Sequence, residues 1–457
     1  MKTDFTLQQL QDPCLEEVDK IVKRCFHCGL CNATCPTYIL LSDERNGPRG
    51  RIYMMKNMFE RNNDVSSDMM RYVDRCLSCL SCMTTCPANV EYRNLIDRAR
   101  DFIQERGSRP WQERVALTIL AAIILNPGRF SLVLRLASYG RPLINLIRIA
   151  GLKQLAAAFD IISKSRSFRN SSTKGGKPIA ISKLKYETKV LMLAGCELQV
   201  LRPVINDAAI RLLSKRGVKV EVTSGSGCCG SLMLHMGFQK QAFEFAKSNV
   251  DIWWKSIQDE SVDAIITTTS DCSATIKNYA YKLKNIDGYD EKIQKIADKA
   301  MDITEFLSRT DIGPSIRWSS LKVAYHASCT MVHGQQIIEA PKKLLKNAGF
   351  TVVEIPEQHI CCGSQGIYRI MQPEIAKSLH ERKVLNISKV KPDIVATGSI
   401  GCIDHIGLGG HFPVVHVVEL LDWAYGGPVP EGLSHFESFI YNVPTPPGRT
   451  MEDYLSL

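Results

Sequence analysis

Apolar residues recur along this chain in different patterns, and each pattern predicts a different kind of element. After the turn at Asn46 to Arg51, Ile52, Met55 and Phe59 fall three and four residues apart, which places them on one face of a helix. Val115 to Leu125 is apolar throughout except for Thr118. Beyond residue 187 the pattern changes. Lys189 to Cys196 and Lys322 to Cys329 read as short apolar strands ending in cysteine, as do Asp263 to Cys272 and Pro392 to Cys402. Val218–Val222 and Thr351–Ile355 add further strands, and helical stretches at Pro203–Arg216 and Ile338–Asn347 alternate with them. Strands alternating with helices argue for α/β lobes.

The two lobes are copies of one pattern. Cys196 follows Lys189 by seven residues, and Cys329 follows Lys322 by seven. Cys228-Cys229-Gly230 and Cys361-Cys362-Gly363 then follow those cysteines at a common offset of 32, and Cys272 and Cys402 close the two sets. A repeat of this kind, 133 residues apart, marks a duplicated unit. Cysteines serving only as small buried hydrophobes would not account for repetition of all four positions. The chain therefore divides into residues 1–105, a helical arm and linker over 106–186, a first lobe over 187–318, a second over 319–425, and a Gly- and Pro-rich tail over 426–457 that predicts irregular chain.

The amino-terminal part carries its own duplicated pattern. Cys25, Cys28, Cys31 and Cys35-Pro36 read C-x2-C-x2-C-x3-C-P, and Cys76, Cys79, Cys82 and Cys86-Pro87 read the same. Three thiolates spaced by two residues in a tight loop can reach three irons of one [4Fe-4S] cube, while the fourth points away and ligates the other cube. This assigns Cys25, Cys28, Cys31 and Cys86 to one cluster, and Cys76, Cys79, Cys82 and Cys35 to its partner. Zinc modules use two C-x2-C knuckles across a longer loop, so zinc is the weaker reading. The overall expectation is an α+β chain: a mainly helical two-cluster ferredoxin-type domain, then a duplicated α/β cysteine-rich domain.

Charge and cysteine usage narrow the setting. The net charge is +10, and Val115 to Tyr186 alone holds twelve Lys or Arg against the single acid Asp160. Eleven residues cannot cross a bilayer, which needs about twenty. A basic, apolar arm with an amphipathic stretch after Pro142 instead suits a membrane surface or a partner subunit. Phe168 is the only aromatic between Ser163 and Lys185, so stacking on nucleic acid is not expected. A polar start, Met1-Lys2-Thr3-Asp4, reads as no signal peptide, and numerous thiols point to a reducing, cytoplasm-facing location.

The paired runs "CFHCGLCNATCPTY" and "RCLSCLSCMTTCP", the "GPRGR" between them, and "HICCGSQGIY" within the C-x31-C-C-G repeats resemble the glycolate oxidase iron-sulfur subunit family over essentially the whole chain. The corresponding iron-sulfur subunits of anaerobic glycerol-3-phosphate dehydrogenase and of heterodisulfide reductase share the layout, as does lactate utilisation protein A. The resemblance implies an electron-transfer subunit of a 2-hydroxy acid (glycolate) dehydrogenase. It implies FAD on a partner subunit, membrane quinone as acceptor, and a peripheral position on the cytoplasmic face of the inner membrane. The glycerol-3-phosphate, lactate and heterodisulfide systems are the alternatives. One departure stands out. The heterodisulfide relatives end each repeat in C-x2-C, whereas Thr269 and Ser399 stand three positions before Cys272 and Cys402 here. A five-cysteine noncubane centre is thus disfavoured, and a further four-thiolate cluster from Cys196, Cys228, Cys229 and Cys272, or from Cys329, Cys361, Cys362 and Cys402, stays open.

Two other features set the lobes apart. Gly225 to Gly230 matches G-x-G-x-x-G, a dinucleotide pattern, but Gln358 to Gly363 lacks its first two glycines, so the cysteines are what the fold duplicates. His326, His333, His359 and His405 accompany only the second set, where the first has Leu193, Val200, Ser226 and Thr275. Imidazole titrates near neutrality. These four histidines are candidates for proton-coupled chemistry such as quinone reduction, or for a cluster ligand, in the second lobe.

Overall fold

The structure is a computed structural model and describes residues 1–61, 65–107, 109–137, 158, 188–223, 225–259, 261–284 and 288–442. The amphipathic stretch after Pro142, the linker from Ser163 to Lys185 and the last part of the tail lie outside the described residues.

Among the described residues eight α-helices precede the lobes: α1 Pro13–Arg24, α2 Pro36–Leu41, α3 Pro48–Arg61, α4 Ser67–Asp74, α5 Ser81–Thr84, α6 Tyr92–Arg106, α7 Trp111–Ile124 and α8 Pro127–Ala137. Asp12 and Ser66 cap α1 and α4 by accepting from Cys14 and Met69 N–H groups. Ile52, Met55 and Phe59 do face inward, packed with Val18 and Val22 of α1 and Leu95, Ile96 and Ile103 of α6. The cysteine runs occupy the connections between these helices, apart from Cys82 in the single turn of α5.

The long apolar run forms α7, and its fate is divided. Ala116, Leu117, Leu120 and Ile124 are buried against Leu232, Met233 and Met236 of the helix Ser231–Met236, while Val115, Ile119 and Leu132 stay exposed. Among the described residues no single helix is long and apolar enough to cross a membrane. The pair Trp111–Ile124 and Pro127–Arg135 reaches that hydropathy only together, with a bend of 106°.

The duplicated part is two four-stranded parallel sheets. β1 Thr188–Met192, β2 Val218–Val222, β3 Ala264–Thr267 and β4 Ala300–Asp302 run in the order β2-β1-β3-β4. After β5 Arg317–Ser319, β6 Lys322–His326, β7 Thr351–Val353, β8 Ile394–Thr397 and β9 Val414–His416 repeat it as β7-β6-β8-β9. β3 and β8 are buried at every position, as strands covered on both faces must be. The copies share detail as well as order. Lys189 N–H donates to Asp263 Oδ2 at 2.8 Å, and Lys322 N–H to Asp393 Oδ2 at 2.7 Å.

Two expectations are refined. Cys272 and Cys402 do not end their strands but sit in the first turns of the helices Ser270–Lys277 and Ile400–Ile406. The described tail is not wholly irregular either: a 3-10 stretch at Ser434–Phe439 leads into β10 Ile440–Asn442, which pairs antiparallel with β5.

Candidate functional site

The amino-terminal thiols gather in two groups that cross the sequence order. Cys25, Cys28, Cys31 and Cys86 line one small hollow together with Cys82 of the second run. The Cys31 thiol is pushed up to about 12 by burial and by Cys25, Cys86 and Cys28 beside it. In the other group, burial raises Cys79, and Cys329, Cys35 and Cys76 add to it; burial likewise raises Cys82 among Cys79, Cys76 and Cys35. Thiols gathered this closely are poor as free thiols and suited to a metal that takes them as thiolates.

Two buried arginines, which the cysteine pattern did not single out, support the second group. Arg51 of α3 is 1% exposed; its Nε donates to Tyr72 O at 2.7 Å, Nη2 to Thr37 Oγ1 at 3.0 Å and Nη1 to Cys35 Sγ at 3.9 Å. Burial works against its charge, but Tyr92, Cys76 and Cys35 hold its pKa above the ordinary guanidinium value. Arg100 of α6 donates to Ser78 Oγ and to Cys76 O, each at 2.6 Å. Arg51 is the last residue of "GPRGR", so its signal was in view without its role.

In each lobe the four cysteines converge. Cys196 and Cys228 sulfurs lie 3.6 Å apart in the first; Cys329 and Cys361 lie 3.9 Å apart, and Cys362 and Cys402 3.6 Å apart, in the second. The glycine after each pair explains the motif. Gly230 and Gly363 have φ of +89° and +94°, and their N–H groups approach the first cysteine's sulfur at 3.4 Å. A Cβ on them would stand 2.9 Å from Ala242 O and 3.0 Å from Ala376 O. Left-handed backbone and close approach together demand glycine. Gly363→Ala should therefore cost about 2 kcal/mol and lower the melting temperature by roughly 4–8 °C, read by calorimetry.

The lobes differ in what surrounds the sulfurs. His326, 2% exposed, brings a ring nitrogen within 4.8 Å of both Cys362 and Cys402 sulfurs, and its Nδ1 has no hydrogen-bond partner among the described residues. Hydrogen bonds from Cys361 and Cys402 draw the Cys362 thiol well below its ordinary range, whereas Cys196 in the first lobe is raised by its bond to Cys228 and by burial. His326, His333 and His359 line one cavity of about 260 Å³ with Cys329, Cys361 and Cys402. His333 reaches Thr84 Oγ1 of α5 at 2.8 Å, and burial lowers it to about 4. His405 stands outside this cavity, its Nε2 on Ala376 O at 3.3 Å. The loop carrying His359 is held by Glu357, whose carboxylate takes bonds from Arg382 and Asn386 and is drawn down to about 2.

The second amino-terminal group abuts the second lobe. Leu77 and Cys79 share one apolar cluster with Ile360, Cys361 and Tyr368, and Tyr368 Oη donates to Arg75 O at 3.0 Å. The first-lobe glycine loop does not form a phosphate cradle: Gly227 N–H is taken by Asn249 Oδ1 at 2.9 Å, and the helix that follows is six residues long.

Residues 21–90 match the 4Fe-4S dicluster domain family, and residues 190–277 and 323–407 each match the Cysteine-rich domain family. Thiol groups placed in a helical dicluster module and at equivalent points of two α/β lobes define an iron-sulfur electron-transfer subunit of an oxidoreductase. The chain is 34% identical to the glycolate oxidase iron-sulfur subunit of Escherichia coli (strain K12) over 93% of its length and 99% of the relative. It is 27% identical to the probable glycolate oxidase iron-sulfur subunit of Bacillus subtilis (strain 168), with 93% and 99% covered. It is also 27% identical to the lactate utilization protein A of Geobacillus sp. (strain WCH70), over 51% of this chain and 99% of that one. The chain belongs to the glycolate oxidase iron-sulfur subunit family.

Proposed function

We propose that this chain relays electrons from a flavin-bearing dehydrogenase subunit, which oxidises glycolate or a similar 2-hydroxy acid, to a membrane quinone. Cys25, Cys28, Cys31 and Cys86 would hold one [4Fe-4S] cluster and Cys76, Cys79, Cys82 and Cys35 a second, each supplying one-electron storage when bound. The supporting observation is the crossing: Cys86 stands among the thiols of the first run and Cys35 among those of the second. Cys329, Cys361, Cys362 and Cys402, with His326 beside them, are the candidate for a third centre. Its contact with Cys79 supports transfer from the amino-terminal domain into the second lobe.

The residues contribute placement, burial and charge. Burial excludes water from the thiols, and Arg51 and Arg100 bring positive charge and donors where electron density would accumulate. Residues 1–105 serve as the relay, the lobes as the acceptor side, and α7 with α8 as the peripheral membrane contact.

The test is the native complex. Purified anaerobically with its partner chains, it should be brown, and glycolate should reduce its iron-sulfur signals and a short-chain quinone. Lactate and glycerol 3-phosphate in the same assay identify the alternatives; a complex that answers only to glycerol 3-phosphate overturns the 2-hydroxy acid reading.

A further inference from the structure

The second-lobe cavity carries the histidines, but a different cavity has the character of a hydrophobic substrate's site. It measures about 190 Å³ and lies between the lobes, under the bend of α7 and α8. Helices α7 and α8 contribute Leu120, Ile123, Phe130, Val133 and Leu134 to its lining. The lobes contribute Glu197, Gln365, Arg369, Ser399 and Asp404, with Cys196, Cys228 and Cys272. Apolar where the helices line it and hydrogen-bonding where the lobes do, the space matches a ligand with an apolar body and an oxygen-bearing head. A cavity of about 150 Å³ suffices for a benzene ring, so this one takes a substituted six-membered ring.

Resting on the quinone reading above, we infer that this cavity is the quinone site, with the ring head against Gln365 and Arg369 and the tail leaving between α7 and α8. Charge decides against the organic acid as occupant. Asp271 and Asp404 line the space beside Glu197, whose carboxyl is raised to about 7 by burial and by those two acids, and Arg369 is the one guanidinium in the lining, so a further anionic carboxylate is disfavoured where a neutral ring is not. Both lobes' thiols flank it. Cys196, Cys228 and Cys272 line it directly, and Cys402 stands 3.6 Å from Oγ of Ser364, itself a wall residue. Val115, Ile119 and Leu132 of the same two helices are exposed, apolar surface that suits a lipophilic tail. Reduction here adds two electrons, delivered singly by the subunit's electron transfer, and two protons from water. Each carbonyl oxygen gains one O–H bond and the ring becomes aromatic.

The test uses the whole complex, decylubiquinone, a soluble dye and a photoreactive azidoquinone. Label is expected on peptides containing residues 115–134 and 195–201, and excess decylubiquinone should displace it. Ile123→Trp and Val133→Trp, which fill the apolar end, should each raise the KM for decylubiquinone roughly tenfold and weaken labelling alike, with dye reduction intact. Leu385→Trp, on an exposed surface remote from the cavity lining, should change neither. Label on a partner subunit or on residues 358–362, or an unchanged quinone KM in both tryptophan variants, overturns this site while leaving quinone as acceptor. A complex that reduces a soluble carrier but neither reduces nor binds quinone overturns the acceptor itself.

Discussion

Cys86→Ala is expected to strip the cluster of the first cysteine run and spare that of the second, and Cys35→Ala to do the reverse. Each variant should keep about half of the amino-terminal iron, because in the proposed crossing each cluster draws three thiolates from one run and its fourth from the other. Local chain order predicts the opposite outcome. If each run served itself, Cys86→Ala would share the phenotype of Cys76→Ala. Crossing predicts that it shares the phenotype of Cys25→Ala, since Cys86 lies with Cys25 and Cys28 around Cys31. Iron analysis and low-temperature electron paramagnetic resonance on anaerobic protein distinguish the two, provided that Cys25→Ala and Cys76→Ala give reference spectra. Glycolate-dependent quinone reduction should fall on the order of 100-fold in either variant, because a missing relay site lengthens the electron's path. Cys14 is the control. It lies on α1, belongs to neither group, and its replacement by serine should leave iron content and turnover unchanged.

The sequence disclosed what short-range covalent spacing and duplication encode, and little that depends on docking. Three thiols at intervals of two residues must sit together in any compact loop, so both runs were legible without coordinates. The two lobes were legible for a different reason: strands in buried parallel sheets are short apolar runs, and their copies could be compared position by position. β4 and β9, three residues each, escaped notice, because each runs directly into a helix and only a few residues carry a strand pattern. The placement of Cys79 against the second lobe escaped too. It depends on contacts between residues hundreds apart in sequence, such as Tyr368 with Arg75 and His333 with Thr84. Among the four histidines, composition gave no means of separating His405, which turns to the helix carbonyl of Ala376, from His326, which faces the sulfurs. The buried face of α7 is core, and its partner is a helix that begins over a hundred residues later.

Arg51→Met should lower the midpoint potential of the second cluster by about 100 mV while leaving the first within a few tens of millivolts. The sign follows from charge. An added electron is stabilised by a nearby cation, so removing the cation disfavours the reduced state and the potential falls. The size follows from distance. Arg51 Nη1 is 3.9 Å from Cys35 Sγ, and a unit charge there, at an effective dielectric constant of about 20, interacts by roughly 4 kcal/mol. Because the electron is spread over the whole cluster, about half of that applies, near 100 mV for one electron. Met also fails to replace the donors to Tyr72 O and Thr37 Oγ1, so a fall in stability of about 2–3 kcal/mol accompanies the shift. Arg51→Lys separates these effects. It retains the charge but not the fork, so it should lose stability comparably while moving the potential much less. Redox titration monitored by electron paramagnetic resonance reads both clusters in one experiment. A second-cluster midpoint unmoved in Arg51→Met, or one that falls equally in Arg51→Lys, would show that the guanidinium positions the chain around Cys35 and does not tune the potential by its charge.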